Sequence, residues 1–108
     1  MEKRNLFDCL PVGQGFERFD SLLETETFSL ERIVSCGYGA PLGEWCDQER
    51  SEWVVLLKGS AGLRVEGEAE IRVLTPGDYV YLPARLRHRV EWTEDNVKTV
   101  WLALHHGD

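Results

Sequence analysis

One segment constrains this chain more than any other: Pro76-Gly77-Asp78-Tyr79-Val80-Tyr81-Leu82-Pro83-Ala84-Arg85-Leu86-Arg87-His88. In Thr75-Pro76-Gly77-Asp78, proline fixes the first central dihedral of a type II turn and glycine accepts the positive φ of the second. Tyr79 to Leu82 then reads as a short strand. Pro83 ends it, because proline cannot donate to a ladder, and His88 opens the next strand. Upstream, Glu52-Trp53-Val54-Val55-Leu56-Leu57-Lys58-Gly59 sets an acid at the foot of an apolar strand that a glycine turn closes. A chain punctuated in this way is predicted to fold as short strands in a sandwich or barrel.

The same cadence holds from about Phe28 onward. Leu63 and Val65 alternate with Arg64 and Glu66, and Ile71 and Val73 alternate with Glu70 and Arg72. Gly67-Glu68 between them predicts a two-residue hairpin, with Leu63, Val65, Ile71 and Val73 expected to be dry. The last strand is expected over about Val97 to Leu104, where β-branched and aromatic residues dominate. In the strand Glu52 to Leu57, Trp53, Val55 and Leu57 point one way, and Val54 and Leu56 the other. A strand apolar on both sides is covered on both. One face would fill the barrel, and the other would meet the N-terminal segment, the opposing sheet or a second subunit. Residues 16–23 carry Phe16, Phe19, Leu22 and Leu23 at helical spacing, yet also suit a strand; the periodicity leaves helix and strand open.

Composition narrows the function classes. The chain has 108 residues, which predicts one domain over residues 1–108 with a core barrel at about 28–106. A formal charge of −7 opposes a phosphate backbone, so nucleic acid is not expected as a partner. No apolar run reaches the roughly 18 residues of a membrane span. The N-terminus lacks the apolar stretch of a secretory signal. The cysteines Cys9, Cys36 and Cys46 are odd in number and widely spaced, which suits free thiols in a reducing cytoplasm.

These two blocks, in this order, make the chain resemble the cupin superfamily, specifically its small single-domain members. Glu52 and Gly59 match the first motif. Gly77, Pro83 and His88 match the second, with Arg85 standing where the motif has a second glycine. The resemblance implies an all-β fold, a small jelly-roll β-barrel, with a lumen that holds a metal. It implies Glu52 and His88 as metal ligands. The motif's His-x-His pair is missing; its places fall on Cys46 and Gln48 in one spacing and on Trp45 and Asp47 in the other. Asp47 is the preferred third ligand, with Cys46 and Gln48 as alternatives. Such donors suit zinc, manganese or iron. No organic cofactor is expected.

A buried unpaired carboxylate costs several kcal/mol, so Glu52 needs a cation, a position at the rim, or one of Arg85, Arg32, Arg64 and Arg89. His88 falls on the same face as Val90 and Trp92, where an imidazole is a ligand or a hydrogen-bonded core residue. Cys46 reads by default as a small buried hydrophobe. His105 and His106 read as a solvated tail. The four tryptophans read as core, interface or a stacking wall for a sugar or aromatic ligand. The expected function is a cupin that binds a divalent metal and a small organic ligand, a sugar derivative or organic acid. The alternatives are a metal-dependent dioxygenase, isomerase or decarboxylase, and a metal-free ligand-binding or interaction module. A homodimer is expected from the doubly apolar strand.

Overall fold

A computed structural model describes residues 2–107. It has eight strands: β1 (Phe16–Glu24), β2 (Phe28–Cys36), β3 (Ser51–Lys58), β4 (Ala61–Val65), β5 (Arg72–Leu74), β6 (Tyr79–Leu82), β7 (His88–Thr93) and β8 (Thr99–His106). They form a five-stranded sheet in the order β1-β2-β8-β3-β6 and a three-stranded sheet in the order β5-β4-β7. This is the small all-β jelly-roll barrel that the family resemblance implies, built from the short strands that the turn chemistry predicts. Among the described residues no helix is long and apolar enough to cross a membrane.

The segment 16–23, ambiguous between helix and strand, is strand: β1 pairs antiparallel with β2 from Phe16↔Cys36 to Glu24↔Ser29. Tertiary pairing overrides the helical spacing of its apolar residues, and no N-terminal helix forms among the described residues.

The core lies between the two sheets and is built from Ile33, Val54, Leu56, Leu63, Val65, Leu74, Val80, Leu82 and Trp101. The predicted type II turn is present: Asp78 N–H donates to Thr75 O at 2.9 Å, and Gly77 sits at φ 95°. The 63–73 hairpin keeps the register its turn dictates, yet its ladder stops at Leu63↔Arg72. The expected dry face there needs correction. Residues directly opposite in a ladder share a face, so Leu63 goes with Arg72, and Ala61 with the buried Leu74. Val73 opposes Gly62 and turns outward, 59% exposed.

A second correction concerns Trp92. The β4–β7 ladder passes from Leu63↔Val90 to Gly62↔Trp92, so Glu91 is an extra residue. A bulge of this kind switches the side of the residues beyond it. Trp92 therefore points outward over Gly62, where a Cβ would collide with the indole ring.

Candidate functional site

The inner faces of β1, β2, β3, β7 and β8 surround a lumen of about 120 Å³. Its apolar wall includes Ile33, Val54, Leu63, Leu82, Val90 and Trp101; its polar groups are Glu17, Glu31, Glu52, His88, His105, Gln48 and Cys46.

Glu52 begins the inward-facing series Glu52, Val54, Leu56 on β3 and is only 7% exposed. It does not sit at the rim. None of the arginines that could have paired with it does so. Arg85 holds Asp47 at 3.3 Å and Glu49 at 3.4 Å. Arg32 holds Asp20 at 2.8 Å. Arg64 and Arg89 both reach Glu91. The groups beside Glu52 are Gln48, whose Nε2–H donates to Oε1 at 3.2 Å, and His88, whose Nε2 lies 3.7 Å from the same oxygen.

His88 is buried at the start of β7, opposite Cys46, with which it exchanges backbone hydrogen bonds. Its Nδ1 lies 3.0 Å from Leu86 O. A carbonyl only accepts, so Nδ1 carries the hydrogen, and in the neutral ring Nε2 presents its lone pair to Glu52. Nε2 and Glu52 Oε1 thus face each other across 3.7 Å, and a carbonyl accepting from the far ring nitrogen is the usual support of a metal-binding histidine. Arg87 and Arg89 flank His88 and lie 5.4 and 5.9 Å from the Trp45 ring, on the loop before β3.

The family position filled by Arg85 lies at φ 69°, in the left-handed region that glycine favours. Arg85 holds that backbone with its N–H on Gln48 O at 2.8 Å, besides its two acidic partners. This ties the second motif to the loop that carries Gln48.

The structure brings Glu52, His88, Cys46 and Gln48 to one cavity. It does not bring Asp47 there: that side chain is half exposed and engaged by Arg85. Alternation along the loop decides this, because Cys46 and Gln48 face the lumen and the residue between them faces out. Cys46 is at the mouth, open to solvent, yet its thiol is pushed up from its ordinary value by the partly buried site and by the charges of Glu52 and Glu17. That works against a thiolate ligand. Among the described residues no three His, Cys, Asp or Glu side chains are grouped to hold an ion. The residues that could offer donors to a divalent ion are Glu52 and His88, with Gln48 joining them through its oxygen once its amide, which now donates to Glu52, is turned over.

Sequence reasoning missed three lumen residues. His105 is not a solvated tail: it belongs to β8, opposes Glu52 in the ladder, and its Nε2 lies 2.7 Å from Glu31 Oε1. Glu31 comes from β2. Glu17 comes from β1 and accepts from Ser35 Oγ at 3.2 Å. Burial, opposed by that hydrogen bond, raises the Glu17 carboxyl above its ordinary value, and the charges of Glu52 and Glu31 push the same way. The available signal was parity: once β8 is extended to residue 106, His105 shares a face with Trp101 and Ala103.

With this geometry in place, the comparisons give the class. The cupin domain model matches residues 38–105, and the chain belongs to the cupin family. It is similar over its full length to a protein of Ralstonia eutropha JMP134 that carries the provisional name mannose-6-phosphate isomerase, with 44% identity, TM-score 0.95 and 100% of both chains covered. It also shares its fold with the TT1209 protein of Thermus thermophilus, at 18% identity and TM-score 0.77 over 99% of this chain and 98% of that one. The polyketide cyclase RemF of Streptomyces resistomycificus is a further match, at 16% identity and TM-score 0.77 over 100% and 80%. No curated protein matches the chain.

Proposed function

We propose that this cupin binds a divalent cation at Glu52, His88 and Gln48 and a small organic ligand in the lumen above it. The observation that carries the proposal is the convergence of the buried Glu52 carboxylate and His88 imidazole, Oε1 to Nε2 3.7 Å, with every nearby arginine engaged elsewhere. A bound zinc, manganese or iron ion would polarise an oxygen of the ligand. The chain's own residues would exclude water with the Val54, Leu82 and Val90 wall and exchange protons through Glu31–His105. Of the ligand classes the family resemblance implies, a sugar derivative suits this lumen better than an organic acid, which would face three carboxylates. Elemental analysis of protein purified without a histidine tag tests the cation: about one ion per chain is expected, and a protein that neither carries nor takes up zinc, manganese or iron contradicts it.

A second reading, an isomerase, draws on the name of the Ralstonia relative and on two acid–imidazole pairs in one cavity. The phosphate in that name finds no lysine or arginine among the lumen residues. Exchange of substrate hydrogens in D₂O, assayed with unphosphorylated sugars, tests it; a complete lack of exchange would remove it.

We further infer a homodimer in the cytoplasm. Trp53, Val55 and Leu57 face away from the lumen and are only partly buried; Tyr79 and Tyr81 beside them are exposed. All three cysteines are free, which suits a reducing compartment. Light scattering across a dilution series that reports only monomer would contradict the dimer.

A further inference from the structure

Arg85 is the residue near the lumen whose backbone its side chain explains least. At φ 69° it is strained where glycine would not be. That conformation grips one neighbour three ways. The Arg85 N–H donates to Gln48 O at 2.8 Å, and the guanidinium reaches Asp47 Oδ1 at 3.3 Å and Glu49 Oε1 at 3.4 Å. The two acids stand on either side of Gln48 and are exposed, whereas Gln48 is partly buried and lines the lumen. Two residues earlier, Cys46 exchanges backbone hydrogen bonds with His88 at 2.8 and 3.2 Å. The backbone of residues 46–49 is therefore tied at two points, and the Gln48 amide is delivered to Glu52, where its N–H donates to Oε1. The terminal torsion of a glutamine is broad and roughly two-fold. With its backbone held, the amide can turn over in place and present an acceptor oxygen instead of a donor.

We propose that Arg85 is a positioning residue that holds Gln48 so that one amide serves Glu52 in two states. In the ion-free protein the amide caps the carboxylate through its N–H; turned over, it joins the cation through its oxygen. The second half of this inference rests on the cation reading, and the first half does not. It also accounts for an arginine at a strained position: glycine would relax the backbone and keep the N–H to Gln48 O, but it would lose the fork that brackets residue 48.

The test is Arg85→Gly in the full, untagged chain, a substitution that the positive φ favours and that leaves the core untouched. In chelator-treated protein, the side-chain ¹⁵N–¹H₂ resonances of Gln48, identified by their loss in Gln48→Ala, should move in the variant toward those of a solvated glutamine. Zinc affinity, measured by calorimetry at pH 7, should fall about two- to tenfold, the size that two exposed ion pairs allow. The gap between wild type and variant should close at about 1 M salt, where such pairs are screened. In a Gln48→Ala background the same substitution should change zinc affinity by less than about twofold, because the residue it positions is gone. Gln48 resonances that do not move, or a loss of zinc affinity of equal size in both backgrounds, would overturn the proposal. A wild-type protein that takes up no zinc contradicts the cation reading instead, and the ion-free resonances then decide the positioning of Gln48 alone.

Discussion

Glu31–His105 and Glu52–His88 are the same two side-chain types in one cavity, and they are in opposite states. In the first pair, carboxylate and imidazole are 2.7 Å apart and close a hydrogen bond. In the second they stand 3.7 Å apart, and the other ring nitrogen, Nδ1, is committed to Leu86 O. The difference is set by the backbone. His105 sits one pair from the end of both of its ladders, between β2 and β3, and turns toward Glu31 on β2. His88 follows directly on the Pro83–Arg87 turn, whose carbonyl at Leu86 fixes its tautomer. The first pair is a made hydrogen bond, and the second is too long to be one.

The largest expected effect is on the closed pair. His105→Ala removes the partner of a mostly buried carboxylate and should cost about 2 kcal/mol, read as a fall in Tm and in the urea midpoint. An unchanged midpoint would mean that the pair contributes nothing.

Glu52→Gln should act with the opposite sign in chelator-treated protein. An amide can donate to the neutral ring's Nε2 while its oxygen still accepts from Gln48, so stability should rise by up to about 1 kcal/mol. A loss of stability of similar size would show that His88 already donates to the carboxylate and that the two pairs do not differ as described.

The smallest effect concerns Glu17. Its folded carboxyl is held above the ordinary value of 4.5, first by burial. A carboxyl raised on folding contributes stability that is fully present below its unfolded value and is lost as pH rises through the folded one. Glu17→Gln, which keeps an acceptor for Ser35, should therefore raise Tm by a degree or two at pH 7 and leave it unchanged at pH 3. A gain at low pH alone would reverse the sign and contradict the assignment.

Much of the architecture was legible because turns are local chemistry. Pro76-Gly77 forms the turn it spells, and Gly59 takes the positive φ of 88° that closes β3. Glu52 and His88 were legible through their spacing to those turns and do converge. Asp47 was not resolved from Cys46 and Gln48, because choosing between adjacent frames in a loop requires knowing which parity faces in. The outward turn of Trp92 depends on a bulge with no glycine to announce it. Val73 shows that hydrophobicity can mislead where pairing geometry decides the face. Glu17, Glu31 and His105 were illegible for a related reason. They meet only because β1 and β8 both flank β2, and strand order is a long-range property that periodicity does not encode.

The most direct measurement is calorimetric titration of zinc or manganese into untagged protein with one amide substitution in each pair. The account predicts one site per chain that Glu52→Gln abolishes and Glu31→Gln leaves within a few-fold. Binding that survives Glu52→Gln, or that depends equally on both glutamates, would contradict it.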